Sequence, residues 1–504
     1  MYLWQLSIIG FLQFYDTGVY LAASIHLVSG IMPYRDFVFV QPPGIMLLMS
    51  PVALFSRVFG SHDGFVLARV VSAVVTALNA VLLAWLVRHR GRVAMLIAGA
   101  GLVLLPVDGF VSSGLRLEPF CICFILFGSL VIFSNEHGRG RPSTRQLAIG
   151  GVLFGFAALI KLWAFFPLLA LVICLLLRYR SRALIFVGTA IASFVALSLP
   201  FFLSAPRTFL SEVFVEQLFR KADNVTGAAG IIGRLADMTG FSYSSITPTN
   251  AEVVIAFVGM FCLVAIAYGP RFECDAVDLF LLLAAVFTVS GLLVAPEYFS
   301  YYGYFAAPFL LGVAGISVGR LGPRFKKILN GVNASTFIRR LAARVAALTG
   351  IILVVALVLY STTFYSLAAR FGISAKVIAP ITRFVPAGSC VLYTEVAFGV
   401  FTNRLQTSQP DCPSVVDPGG MWFAWGYHMV PPTAAFVSEW KTNFVDAQYV
   451  VAQSSMSGPQ SAFLDTWRSS NIPWDRGLTK WFKNHYRLVF ENGGLYIYEN
   501  VSKI

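Results

Sequence analysis

The sequence predicts a polytopic α-helical membrane protein of about eleven transmembrane helices, with juxtamembrane helices in its first outer loop and an extracytoplasmic α/β domain after them. Three observations carry this. The 504-residue chain is 57% hydrophobic and 12% charged, where a soluble chain is about 45–50% apolar and about 25% charged. The net charge of +13 sits in short loops between apolar runs. After residue 366 the long apolar runs stop and short strand-like runs separated by turn residues take over.

The charge-rich loops are Arg88, Arg90 and Arg92; Arg139, Arg141 and Arg145; Arg178, Arg180 and Arg182; and Arg320, Arg324, Lys326, Lys327, Arg339, Arg340 and Arg344. Such a bias marks the cytoplasmic side of a membrane protein, so the basic balance reports orientation and excludes a nucleic-acid partner. Runs fit to span are 64–87, 92–109, 118–134, 183–203, 251–269, 278–294, 304–320 and 344–366. The run 147–178 has arginines at both ends, and one helix would put a cluster on the wrong side, so it is split into two short spans meeting at Lys161. Loop 270–277 holds Arg271 against Glu273 and Asp275, but acids contribute little to the rule.

Residues 42–58 are apolar enough to cross, yet counting them would invert every later loop, so they are read as a helix lying in the outer interface. The first run, Met1 to Phe14, would extend about 21 Å at roughly 1.5 Å per residue against a core of about 30 Å. It reads as the outer two-thirds of a helix, with the true start expected upstream. The chain then divides at 1–366 and 367–504, with residues 14–63, 204–250 and 367–504 sharing the outer face. Within 204–250, Phe209 to Phe219 reads as an amphipathic segment with Val213, Phe214 and Leu218 on one side. In the last part, Val391-Leu392-Tyr393 and Tyr449-Val450-Val451 read as buried strands, and Tyr486 to Glu499 as a hairpin turning at Asn492-Gly493-Gly494. Of seven cysteines only Cys390 and Cys412 fall there; in an oxidising compartment they could pair, and otherwise remain as two thiols.

Ionisable residues within or beside apolar spans are expensive and default to functional candidates. On the expected outer face these are Asp16, Arg35, Asp36, Asp63, Arg69, Asp108, Arg116, Glu118 and Lys161. Asp16, Arg116, Glu118 and Lys161 ought to face one another, or water, at one depth. Plainer readings stand beside these: Asp16 as a helix cap, Arg69 as a snorkelling anchor, Lys161 as a structural partner of Glu118. The six histidines form no ligand set, and no phosphate-binding loop, dinucleotide fingerprint or GxSxG elbow is present. A hydrolase or a cytosolic nucleotide-sugar enzyme is disfavoured.

Several short motifs in order resemble the GT-C glycosyltransferases, in particular protein O-mannosyltransferases, the aminoarabinose transferase of lipid A and actinobacterial cell-envelope transferases. They are the acid Asp16; Tyr34-Arg35-Asp36-Phe37; Pro42-Pro43-Gly44; Ala68-Arg69; Leu117-Glu118-Pro119; Gly155 to Lys161; and Tyr301-Tyr302-Gly303-Tyr304 running on to Pro308. The resemblance covers roughly residues 1–320. It implies a multi-pass plasma-membrane enzyme that moves a sugar from a polyprenyl-phosphate donor to a cell-envelope acceptor outside the membrane, inverting the anomeric carbon. Mannosyl and arabinofuranosyl transfer are both open. Asp16 would be the catalytic base, and Arg35, Asp36, Gln41, Arg69, Arg116, Glu118, Lys161, Tyr301 and Tyr302 would bind substrate. Gln41 and Ser300 stand where relatives often carry a basic residue, which shifts the phosphate load to Arg35, Arg69, Arg116 or Lys161. A divalent metal could be held by Asp16, Asp36 and Glu118 as hard oxygen ligands. The competing classes are a transporter or flippase of lipid-linked saccharides, which needs no base, and a non-catalytic assembly subunit.

Overall fold

The structure is a computed structural model that describes residues 11–12, 15–134, 140–219, 230–240, 248–269, 274–331, 373–425, 433–453 and 472–503. It is mostly helical, with two small sheets. Contacts divide the chain into two compact units: one within 72–195 and 222–370, the other within 7–71, 196–221 and 371–504.

In the first unit the apolar helices are long enough to cross a membrane at Leu162–Tyr179, Asn250–Tyr268, Ala276–Val294 and Ser300–Gly322. Helices Ser61–Leu86 and Ala183–Ser204 pass the same test and contain the residues at which the two units divide. With the pair Arg92–Leu104 and Pro106–Ser112, bent by 60°, counted as one, the described residues hold six or seven candidate spans. The protein is therefore a multi-pass membrane protein, and among the described residues fewer helices pass the test than the eleven spans expected from the sequence. Leu117–Ile132 has only 16 residues, about 24 Å at roughly 1.5 Å per residue, and Thr144–Ile160 has 17. Residues 344–366 and 1–10 lie outside the described residues. The split at Lys161 is present: Lys161 is extended (φ −150°, ψ 126°) between Thr144–Ile160 and the next helix. Helices Leu117–Ile132 and Thr144–Ile160 touch through glycine, since a Cβ on Gly150 would lie 2.5 Å from Ile132.

One end of this unit is tied by the charged loops. Arg90 pairs with Asp275 at 2.6 Å and with the fully buried Asp278, which also takes Arg320 and His89 at 3.2 Å each. Arg178 bonds the Cys274 carbonyl, Tyr179 the Gly140 carbonyl and Arg182 the Pro142 carbonyl. The acids of loop 274–278 thus join the arginines that outvoted them in the sequence.

In the second unit, Tyr15–Val28 and the 16-residue Gly44–Phe59 are packed helices. The latter is too short to span and keeps Leu54, Val58 and Phe59 exposed. Phe11–Leu12 pair with Ile373–Ser374 as a two-stranded sheet, which corrects the expected helix through Phe14: an extended pair cannot continue a helical run. The segment Phe209–Phe219 is helical, but its turn Ser211–Val215 is a π-helix. The wider turn rotates the residues after it, so Phe209 and Val213 are buried while Leu218 is 63% exposed, against the expected common face.

Residues 391–500 form a four-stranded sheet. Val391–Tyr393 runs parallel to Tyr449–Gln453, which pairs antiparallel with Leu495–Asn500, and that with Tyr486–Asn492. The last two strands meet at Gly493-Gly494, both with positive φ (59° and 81°), as a two-residue hairpin turn demands. The sheet packs on Trp440, Phe444, Trp474 and Phe482, and Cys390 is joined to Cys412 by a disulfide.

Candidate active site

In the first unit the candidate residues gather around one break in each of two chain segments. Arg116 is extended and caps the start of helix Leu117–Ile132, which puts Glu118 in its first turn. The loop before it and the first turn of the helix are each held by a polar side chain from helix Ser61–Leu86. Ser72 donates to the Gly114 carbonyl at 2.7 Å, and Asn79 donates to the Pro119 carbonyl at 2.8 Å and to the Tyr304 hydroxyl at 3.1 Å. The break at Lys161 brings that side chain onto Glu118, and the two form a buried ion pair at Oε1. Oε2 of Glu118 is buried with no hydrogen-bond partner among the described residues.

Aromatic rings wall in both cations. The Lys161 ammonium lies 4.1 Å from the ring centres of Trp163 and Tyr302, and the Arg116 guanidinium 4.2 Å over Tyr301 and 5.4 Å from Phe110. Tyr301 and Tyr302 are presented by a short turn, Ser300–Tyr302, that opens the helix after it. Arg116 and Lys161 thus bring two cationic side chains beside Glu118 among aromatic faces, groups of the kind that hold an anion.

The other candidates fall in the second unit. Asp16 stands in the first turn of helix Tyr15–Val28 and is half-buried. Its neighbour Tyr15 donates its hydroxyl to Asp417 Oδ1 at 2.7 Å; burial and the Asp417 charge push that phenol well above its ordinary value. Arg35 and Asp36 are an exposed pair at 2.8 Å, and Asp36 also accepts the Met32 amide at 2.7 Å. The hydrogen bond from Arg35 holds the Asp36 carboxyl below its usual range. Tyr34 takes φ +67°, a conformation that costs a non-glycine residue about 1–2 kcal/mol. It is held there by its hydroxyl on the Gln41 carbonyl at 2.6 Å and by Phe209 at 5.1 Å. Gln41 is half-buried and Arg69 buried. Glu212 is buried and accepts the Phe39 amide at 2.8 Å. Burial raises its carboxyl, and that of Glu395, to about 8.

A divalent metal fits these carboxylates poorly. Asp36 is taken by Arg35 and an amide, and Glu118 by an ammonium that would repel a dication. His89, Asp275 and Asp278 do converge, but the guanidinium groups of Arg90 and Arg320 are bonded to those carboxylates.

The family model of "Glycosyltransferase family 87" matches residues 39–296, just over half of the chain. The chain belongs to glycosyltransferase family 87. This is a GT-C type family, so the family-87 chain is a membrane glycosyltransferase. Among solved structures it is similar to ArnT from Cupriavidus metallidurans bound to undecaprenyl phosphate, at 16% identity and TM-score 0.62, covering 99% of this chain and 96% of that one. It is also similar to the apo oligosaccharyltransferase of Archaeoglobus fulgidus, at 12% identity and TM-score 0.52, covering 98% and 71%. At these identities the likeness is one of fold. A search of curated proteins finds no match.

Asn79, Trp163, Tyr15 and Asp417 were not singled out in the sequence. An asparagine amid an apolar span was a signal available for Asn79. Nothing local ties Tyr15 to a residue 402 positions away.

Proposed function

We propose that this family-87 enzyme transfers a sugar, mannosyl or arabinofuranosyl, from a polyprenyl-phosphate donor to a cell-envelope acceptor on the outer face of the plasma membrane, with inversion. The observation that carries the donor assignment is the buried Arg116–Glu118–Lys161 cluster with its aromatic walls. Arg116 and Lys161 hold the donor phosphate and stabilise it as it leaves. Glu118 orients Lys161, and Tyr301 and Tyr302 confine the two cations. Arg35, Asp36, Gln41 and Arg69 contribute the remaining substrate contacts. The disulfide Cys390–Cys412 suits an oxidising compartment, in keeping with an outer location.

The leaving phosphate is already anionic and needs no general acid, so one carboxylate suffices, unlike the paired acids of glycosidases. Asp16 takes the proton from the acceptor hydroxyl. The acceptor oxygen bonds to the anomeric carbon as the bond from that carbon to the phosphate oxygen breaks, and the phosphate departs on its lipid. The test is transfer from a panel of polyprenyl-phosphate sugars to washed envelope acceptors by purified protein. Asp16→Asn should insert normally and lose transfer. Turnover at the wild-type rate by that variant would end the assignment of the base, whereas no transfer by the wild type to any acceptor would favour a flippase or an assembly subunit.

A further inference from the structure

We propose that Asp417 is a positioning residue for the base: through Tyr15 it sets the rotation of helix Tyr15–Val28, and with it the direction of Asp16. This rests on Asp16 being the base, as proposed above. The contacts lie within one unit. The Tyr15 hydroxyl donates to Asp417 Oδ1 at 2.7 Å and accepts the Gly419 amide at 2.6 Å. Asp417 Oδ1 also accepts the Gly420 amide at 2.8 Å, so the carboxylate caps helix Pro418–Trp425 while it holds the phenol. The turn is closed tightly on these groups. A Cβ on Gly420 would lie 2.2 Å from Asp417 Oδ2, and one on Gly419 would lie 3.2 Å from the Tyr15 oxygen.

A second contact acts on the same side of the helix. Gly18 stands three residues after Tyr15, and a Cβ there would come within 2.5 Å of the Ala397 backbone. Residues three apart share a helix face, so Tyr15 and Gly18 together present one face to Ala397 and Gly419. Asp16 is the next residue after Tyr15, about 100° further round at 3.6 residues per turn. Pinning Tyr15 and Gly18 therefore fixes where the Asp16 carboxylate points. Gly18 supplies closeness only. The hydroxyl bond supplies direction, because packing alone tolerates a small rotation that a hydrogen bond does not.

A base must lie within hydrogen-bond reach of the proton it takes, and misplacement by about 1 Å can cost about 100-fold. Tyr15→Phe deletes one oxygen and is expected to lower kcat by about 10- to 100-fold, with the donor KM within about twofold and unchanged melting of the purified protein. Asp417→Ala should do the same or more, and Asp417→Asn, which keeps the accepting oxygen, should restore turnover to within about threefold of wild type. These are measured on full-length protein in detergent, with polyprenyl-phosphate mannose and polyprenyl-phosphate arabinofuranose as donors and washed envelopes as acceptor. Wild-type kcat in Tyr15→Phe overturns the proposal, and so does a loss of kcat matched by an equal rise in KM and lower melting, which is general damage. Should Asp417→Ala fail to fold, Tyr15→Phe carries the test alone. Asp16→Asn keeps the two readings apart: full activity in it, or no transfer by wild type to any acceptor, sinks the base itself. An inactive Asp16→Asn beside a fully active Tyr15→Phe sinks only the positioning role.

Discussion

Replacing Lys161 by methionine removes the ammonium but leaves the apolar stem against Trp163 and Tyr302. Glu118 is 1% exposed and its Oε1 is bonded to Lys161, while Oε2 has no partner among the described residues. Its carboxylate would be left buried without its counter-ion. Breaking one side of such a pair costs about 3–5 kcal/mol. At roughly 2–4 °C per kcal/mol for a unit of this size, the apparent Tm should fall by roughly 6–20 °C. The double variant Lys161→Met with Glu118→Leu replaces the whole pair by apolar groups, a change that is often neutral or stabilising, so its Tm should return to near the wild-type value. Transfer should not return, because the cation proposed to hold the phosphate is still missing. The assay is thermal unfolding of purified protein in detergent beside sugar transfer to washed envelopes. An unchanged Tm in the single variant would refute the energetic reasoning. Wild-type transfer by the double variant would refute the assignment of Lys161 to the donor.

Arg116→Lys keeps the charge but loses the flat stack on Tyr301, and an ammonium cannot grip a phosphate with two parallel bonds; the donor KM should rise by about tenfold or more in steady-state kinetics. Glu212 has its carboxyl raised by burial from 4.5 to about 8. The folded state therefore binds the proton more tightly than the unfolded one. The resulting stability is complete below pH 4.5 and is lost as pH rises towards 8, at up to about 1.4 kcal/mol per pH unit. Tm measured across that range should fall, and Glu212→Gln should flatten the fall; Glu395, raised likewise, adds to the slope. Cys412→Ser opens a loop of 22 residues and should destabilise the sheet of residues 391–500 by about 3 kcal/mol in denaturant titration. Cys390 is 1% exposed, so its thiol in that variant should resist alkylation until the protein unfolds.

Much of the membrane part was legible because hydropathy and loop charge obey long-range rules that need no partner. The arginines at 88–92, 178–182 and 320 outvoted Asp275, and the ion pairs of Arg90 and Arg320 with Asp278 explain why acids could sit there at little cost. The demotion of residues 42–58 to a short non-spanning helix and the break at Lys161 came from the same reasoning. Span length was less legible. Leu117–Ile132 is cut short by the extended Arg116 and by the end at Phe133, and hydropathy does not see backbone angles. The π-helix at Ser211–Val215 likewise rotates Leu218 out of a face that a regular 3.6-residue period would give it. Glu118 and Lys161 were nameable as charges in apolar surroundings, whereas Tyr15 and Asp417 look ordinary until folding brings them together.

The second unit draws on the beginning, the middle and the last third of the polypeptide. Phe11–Leu12 find their strand partner only at Ile373–Ser374, and Tyr15 finds its acceptor 402 residues downstream. During synthesis the described helices of the first unit are all made before those partners exist. Competence would then arrive late, once the final stretch has been made and folded, and a nascent or truncated chain would sit in the membrane unable to consume the cell's lipid-linked sugar.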